Sequence, residues 1–265
     1  MIIIGELINA SRKPIAKAIE EQDAGAIRKI AADQRAAGAD YLDVNAGVFL
    51  DREPEYLAWL VGNVQAEVDA PCSLDSPNPK AIEAALAIHR GAPLINSISL
   101  EKDRCDRMLP VLAGTGCRVI ALCMSDEGMP KTTDDRLKIA DKLINLLTGN
   151  NVPLADIFVD PLVQPVSVNG SFGVAFLEAI EKIMARYPGV HTACGLSNIS
   201  YGLPGRKHLN RAFMIQAISQ GLDGAIVNPL DKGMISAIIT AETLVGRDPY
   251  CGKYLKAYRA GLFED

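Results

Sequence analysis

Cys72-Ser73-Leu74-Asp75-Ser76-Pro77-Asn78-Pro79-Lys80-Ala81-Ile82-Glu83 contains the pattern that decides the fold. Cys72–Leu74 is a short, mostly apolar run, which reads as a parallel strand buried on both faces. Asp75 ends the run, and Asn78 and Pro79 supply an N-cap and a first helical residue. The helix so begun is predicted over Pro79–His89, stopping before Gly91. The same order of apolar run, polar end and helix recurs along the chain. Ile2–Leu7 leads to Asn9, Tyr41–Leu42 to Asp43 and Asn45, and Leu94–Ile95 to Asn96. Further on, Ile157–Val159 leads to Asp160, His191–Leu196 to Asn198 and Gly224–Val227 to Asn228. Val119–Cys123 is a run without the polar end. Eight strands alternating with helices predict an α/β fold, a (β/α)8 TIM barrel whose site is built from the carboxyl ends of its strands.

The remaining helices follow from spacing and caps. Pro14–Glu20 and Asp23–Ala37 read as a broken helix, with Asp23 as N-cap. Pro54–Val68 carries Leu57, Leu60, Val61, Val64 and Val68 at helical spacing. Lys102–Leu112, interrupted by Pro110, and Asp134–Leu147 follow. Phe176–Arg186, Arg211–Gln220 and Met234–Leu244 complete the set, and a tail over Tyr250–Leu262 is expected to pack outside. No linker or low-complexity tract breaks the rhythm, so residues 1–265 read as one domain. Met124–Thr133, Pro161–Ser171 and Ile199–Arg206 are longer than a strand-to-helix connection requires, and such loops in a barrel are usually functional.

Composition narrows the function. An apolar content of 49% with only 5% aromatics predicts a core of Ile, Leu, Val and Ala. A net charge of −5, without a Lys/Arg cluster, argues against nucleic acid. Met1–Ile4 is too short for a signal peptide and nothing approaches a membrane span, so a cytoplasmic protein is expected. Cys72, Cys105, Cys117, Cys123, Cys194 and Cys251 form no C-x-x-C pair and read as small hydrophobes rather than zinc ligands or disulfides. His89, His191 and His208 are too scattered for a metal cage; His89, at a helix end, would suit the cationic form.

Asp75, Asn96 and Asp160 are placed to meet at the barrel mouth. Each alone reads equally well as a strand-end cap that ties down a loop. Together, carboxylates and amides short of basic neighbours suit a neutral ligand rich in donors, and a carboxylate can accept two parallel N–H bonds from a 2-amino-4-oxo pyrimidine edge. An amide such as Asn96 or Asn198 both donates and accepts.

Six segments carry a family resemblance: Ile4-Gly5-Glu6-Leu7-Ile8-Asn9, Leu42-Asp43-Val44-Asn45-Ala46-Gly47, Leu74–Glu83, Ile95-Asn96-Ser97, Val159-Asp160-Pro161-Leu162 and Gly195-Leu196-Ser197-Asn198-Ile199-Ser200. In this order and spread over most of the chain, they resemble the pterin-binding methyltransferases that move a methyl group between tetrahydrofolate and a corrinoid protein, and that share a dihydropteroate-synthase-like barrel. The resemblance implies that Asp75, Asn96 and Asp160 grip the pterin and that Asn198 hydrogen-bonds N5, with Asn198 and Asp160 as the catalytic pair. It implies that Gly195 and Ser197 shape the floor, that Asp43, Asn45 and Glu6 support the network, and that Met124 and Arg206 border the pterin and its aminobenzoyl-glutamate tail. Where the family often has Gln, three residues after the Asn, this chain has Tyr201.

The same resemblance implies (methyl)tetrahydrofolate as substrate, a cobalamin-type corrinoid carried by a separate protein, no bound metal and a homodimer. No histidine here lies in the Asp-x-His-x-x-Gly context of corrinoid carriers, so the corrinoid protein would dock over the mouth. Dihydropteroate synthase is the rival enzyme, but its late Ser-x-Arg-Lys and Arg-x-His stretches are missing. Strand 8 leads instead into Val227-Asn228-Pro229-Leu230-Asp231-Lys232, and Ser11-Arg12-Lys13 lies after strand 1. A folate-binding subunit without turnover is the third reading.

Overall fold

The computed structural model describes residues 1–263. Its elements run β1 (Ile2–Asn9), α1 (Lys13–Glu20), α2 (Ala24–Ala36), β2 (Tyr41–Asn45), α3 (Glu53–Glu67), β3 (Cys72–Asp75) and α4 (Pro79–Leu86). Then come β4 (Leu94–Leu100), α5 (Lys102–Leu112), β5 (Arg118–Ser125), α6 (Thr133–Gly149), β6 (Ile157–Asp160) and α7 (Phe172–Arg186). The chain closes with β7 (His191–Thr192), α8 (Arg206–Ser219), β8 (Gly224–Val227), α9 (Lys232–Leu244) and α10 (Gly252–Arg259). All neighbouring strands pair in parallel in the order β7-β6-β5-β4-β3-β2-β1-β8. The ring closes between Cys194–Gly195 and β8, by a Gly195–Ile226 bridge and an Ile226 N–H donated to the Cys194 carbonyl at 3.0 Å. This is the expected eight-stranded barrel.

Local chemistry explains the helix starts. Asp23 accepts from Ala26 N–H, Asn78 from Lys80 N–H, and Thr132 and Asp135 form a reciprocal capping box on α6. Pro110 does not interrupt α5; it lies in the last turn, where the missing N–H removes one bond and the helix is ending anyway. α7 starts at Phe172 and α8 at Arg206, both earlier than expected. β7 is only His191–Thr192, shorter than the expected His191–Leu196 run, so the connection after it spans residues 193–205 and includes a 3-10 turn over Leu196–Ser200.

Strand alternation divides the core. Leu42, Val44, Leu74, Ile95, Val119 and Val159 pack outward in the main core with the helices. Ile4, Tyr41, Leu94, Ile120, Phe158 and Ala193 form a separate plug inside the ring. Phe158 is fully buried there, and a side chain of that kind contributes roughly 1.5–3 kcal/mol by leaving water. By the same period of two, Asp43, Asn45, Ser73, Asp75, Asn96 and Asp160 point inward above the plug. The polar layer thus rests on an apolar floor.

Candidate active site

β2, β3 and β4 build one hydrogen-bonded cluster. Asp43, 3% exposed, accepts from Ser73 Oγ at 2.6 Å and from Asn96 Nδ2 at 3.2 Å. Asn45 Nδ2 donates to Asp75 Oδ2 at 2.9 Å and to the Asp75 carbonyl at 3.1 Å, while Asn45 Oδ1 accepts from Gly47 N–H. Each amide is therefore fixed in orientation by a neighbour. Asn96 turns its Nδ2 inward, which leaves its Oδ1 as an acceptor for the mouth, and Asp75 keeps its Oδ1 free. Ser73 was not anticipated; a hydroxyl inside an apolar strand run, opposite Asp43 in the register, was the available signal. Behind this cluster, buried Glu53 accepts from Ser76 Oγ and Asn78 Nδ2 and anchors the loop after β3.

Asp160 ends β6 and is 7% exposed. It accepts from Leu162 N–H at 2.8 Å and from the Gly195 backbone, tying β6 to the segment that carries Asn198. Burial pushes its carboxyl up to about 7, against the pull of those two N–H groups and of Arg136. Burial likewise raises Asp43, with the Asp75 charge adding to the effect. Asp75 is raised by burial and opposed by Asn45 and the Arg104 charge.

Cations therefore stand behind the carboxylates, contrary to the expectation of a mouth short of basic groups. They come from helices, not strands. Arg104 of α5 donates to the Ser97 carbonyl at 3.0 and 3.2 Å and to Ser97 Oγ at 2.9 Å, across the cis Asn96–Ser97 peptide. Arg136 of α6 is fully buried. It donates to the carbonyls of Pro161 (2.9 Å), Thr132 (3.1 Å) and Leu162 (3.2 Å) and to Gln164 Oε1 (3.3 Å). Leu162 is held in the left-handed region at φ 64°, a strained conformation for a leucine. Its N–H is fixed by Asp160 and its carbonyl by Arg136. The sequence did carry a sign of this: Arg136 occupies the apolar stripe of α6 with Ala140, Leu143 and Leu147.

Several expected residues sit differently. Asn198 lies beyond β7, in the 3-10 turn, exposed and with its side-chain amide unpaired among the described residues. Glu6 bonds Arg12 at 3.1 Å rather than joining the Asp43–Asn45 cluster, and burial raises its carboxyl. Arg206 is the first residue of α8, not a loop residue; it braces the turn through Ser200 Oγ (3.0 Å) and the Ser197 carbonyl (2.6 Å). Met124 is half-buried near the end of β5, and Ser197 is exposed. Tyr201 is 65% exposed, and its carbonyl accepts from Ser167 Oγ at 2.7 Å.

His89 is not cationic. It accepts the Cys72 N–H at 2.9 Å through Nε2, and burial lowers its pKa. His208 is exposed in the first turn of α8. All six cysteines are free; burial pushes Cys72 up to about 12 and raises Cys123 and Cys194 further, as expected of inert core residues. Among the described residues no cluster of His, Cys, Asp and Glu could hold a metal ion.

Two carboxylates and an amide, Asp75, Asp160 and Asn96, thus stand in one polar layer at the strand ends of a (β/α)8 barrel, the end at which barrels of this kind place their sites. The pterin-binding enzyme family matches residues 5–228, and this chain belongs to that family. Over 263 residues it is 36% identical to the methylcorrinoid:tetrahydrofolate methyltransferase of Eubacterium limosum, covering 98% of this chain and 97% of that one. It is 31% identical over 241 residues to the methionine synthase of Mycobacterium tuberculosis, covering 86% of this chain and 20% of that much longer protein. Among solved structures, the Coxiella burnetii dihydropteroate synthase in complex with pteroic acid superposes with a TM-score of 0.74 at 17% identity over 93% of this chain and 94% of that one. That likeness speaks for the fold alone.

Proposed function

We propose that this chain, as one pterin-binding domain over residues 1–265, transfers a methyl group between N5 of tetrahydrofolate and the cobalt of a corrinoid protein. The end-to-end match to a methylcorrinoid:tetrahydrofolate methyltransferase carries the reading. The acceptors left at the mouth support it: Asp75 Oδ1, Asn96 Oδ1 and Asp160 suit the N–H groups of a reduced pterin.

In the direction from folate, the cobalt lone pair attacks the methyl carbon, the cobalt–carbon bond forms and the carbon–N5 bond breaks. N5 leaves with a proton, because an unprotonated amide-like anion is a very poor leaving group. General acid assistance of this sort is worth roughly 10²–10⁴ in rate. Asn198 does not titrate usefully; its unpaired amide is the group for N5, donating or accepting as the proton load changes. Asp160, with its carboxyl raised to about 7, holds a proton over part of the neutral range and reaches the Asn198 segment through the Gly195 N–H. Run backwards, N5 attacks methyl-cobalt and releases its proton to the same network. Positioning of two large reactants supplies most of the remaining rate.

The corrinoid enters as a second substrate on its own protein. The reading includes a cytoplasmic homodimer, which light scattering of the purified protein tests; no helix among the described residues is long and apolar enough to cross a membrane. The test of the chemistry is optical: methyltetrahydrofolate and reduced cobalamin are mixed with the protein and the cobalt spectrum is followed. Conversion of cob(I)alamin to methylcobalamin, markedly slowed in Asn198→Ala, is expected. Folate binding without any conversion, with free cobalamin and with a corrinoid protein alike, refutes the assignment and favours a binding subunit.

A further inference from the structure

On the outer wall of the barrel, α2 and α9 leave a gap between them, with α10 along one side. It is a cavity of about 620 Å³. The sequence explains why it stays open. At the ends of α2 and α10 the residues facing it are small: Ala36, Ala37 and Gly38 on one wall, Ala257, Ala260 and Gly261 on the other. α9 presents Ile235, Ile238, Ile239 and Glu242 at i, i+3, i+4 and i+7, a largely apolar helix face. Short side chains do not reach across to that face, so Ile235 and Ile239 are only half-buried. Ser236 Oγ donates to the Leu262 carbonyl at 3.1 Å, which pins the segment after α10 to α9 and holds the walls in place.

Charge around the cavity is one-sided. Its three carboxylates already have protein donors. Asp40 Oδ2 accepts from Ile3 N–H at 2.8 Å. Glu242 meets the Met1 α-amino group at 2.6 Å and Arg247 at 3.0 Å. Asp248 accepts from the N–H groups of Lys253 (2.9 Å) and Tyr254 (3.0 Å) and from Thr243 Oγ1 (3.2 Å). The three lysines of the lining, Lys232, Lys253 and Lys256, are exposed, and none is ion-paired among the described residues. Lys253 and Lys256 are neighbours at i,i+3 on α10, which concentrates the free positive charge on that side.

An apolar helix face about 10 Å long, beside ammonium groups without partners, is complementary to an anion with an aliphatic body. The volume lies within the roughly 300–1,000 Å³ of small-molecule sites. We propose that this cavity binds a free, single-chain aliphatic carboxylate of the fatty-acid class, its chain along Ile235, Ile238 and Ile239 and its head at Lys253 and Lys256. The site contains none of Asp75, Asn96, Asp160 or Asn198, and the inference does not rest on the folate reading.

The test is calorimetry of the full chain with hexanoate, octanoate and decanoate below their micellar concentrations, and with decyltrimethylammonium as the cationic twin of decanoate. The carboxylates should tighten about fourfold per added CH2 until the chain fills the cavity. Decanoate binding should weaken with salt, and the cation should bind markedly less well. Lys253→Gln and Lys256→Gln, both at exposed positions, each weaken decanoate about two- to fivefold. Ala260→Trp fills the cavity from its exposed wall and abolishes binding, with circular dichroism checking the fold. Methyltetrahydrofolate leaves the decanoate affinity unchanged. Equal affinity for decanoate and its cationic twin, or indifference to chain length, overturns the site as unspecific surfactant binding. Competition by methyltetrahydrofolate also overturns it, by placing the ligand in the mouth. Absence of decanoate binding overturns it outright. Light scattering of the wild type against Ala260→Trp then shows whether a second copy fills the cavity instead, and sedimentation with phosphatidylglycerol vesicles whether a membrane surface does.

Discussion

Arg136→Met puts the architecture of the mouth to its sharpest test. The guanidinium is wholly buried and has no carboxylate in contact, so its role lies in the groups it satisfies. Methionine approximates its length and is apolar, which keeps packing loss small. Of the four acceptors, the Thr132 carbonyl still receives the backbone N–H of residue 136 at 3.3 Å. The Pro161 and Leu162 carbonyls lose the donor that holds them, and Gln164 Oε1 loses Nη2. An orphaned buried acceptor costs roughly 1–3 kcal/mol, so two carbonyls put the loss at about 2–6 kcal/mol. With Leu162 no longer clamped in its left-handed conformation, the N–H that holds Asp160 drifts, and the loss of the Arg136 charge raises the Asp160 carboxyl further. Urea unfolding reads the first effect and tetrahydrofolate titration the second. Arg136→Lys keeps the charge but not the fork, and should retain the Asp160 pKa better than the loop geometry. A stability loss below about 1 kcal/mol together with unaltered folate affinity would refute the reasoning, because it would mean that the strap holds itself.

Three further outcomes are expected. Asn198→Ala lowers the transfer rate by about 10–100-fold, the value of a hydrogen bond to a charge-bearing atom, while the folate Kd moves much less; stopped-flow at the cobalt band separates the two. Asp160→Asn weakens folate binding by about tenfold or more, since an amide turns an acceptor into a donor against the pterin and against the Gly195 or Leu162 N–H; calorimetry with unchanged affinity would remove Asp160 from the grip. The unliganded protein loses stability as pH rises through the neutral range to pH 9. Asp43 and Asp160 have folded-state pKa values above their unfolded ones, so the fold favours their protonated forms, and that stability is complete below about pH 4 and lost through the folded pKa values. Thermal unfolding across this range checks it, and Asp43→Asn, which cannot ionise, flattens the curve.

Much of this was written along the chain because it depends on local order. A strand buried on both faces must be apolar, and a helix start needs a cap, so Cys72–Leu74, Asn78 and Pro79 already state their structures. The polar strand ends Asn45, Asp75 and Asp160 were legible for the same reason, as was the family through its six segments. Period two also hid a fact in plain view: Asp43 is not a strand end but an inward residue in mid-strand, and it orients Asn96.

Tertiary structure decided what depends on distance through space. Arg104 and Arg136 come from helices that follow β4 and β5, and no spacing rule brings Arg136 under the loop of β6. Glu6 left the Asp43 cluster because Arg12, six residues away, satisfies it first. Arg206 and Lys207 became the rim of a cavity only because α8 begins at Arg206, directly after Gly205 and earlier than the apolar periodicity indicated. A sequence specifies which residues want burial or a partner. Which partner each one meets is fixed only when the ring of eight strands closes, because closure sets which βα loops and helix starts share the mouth.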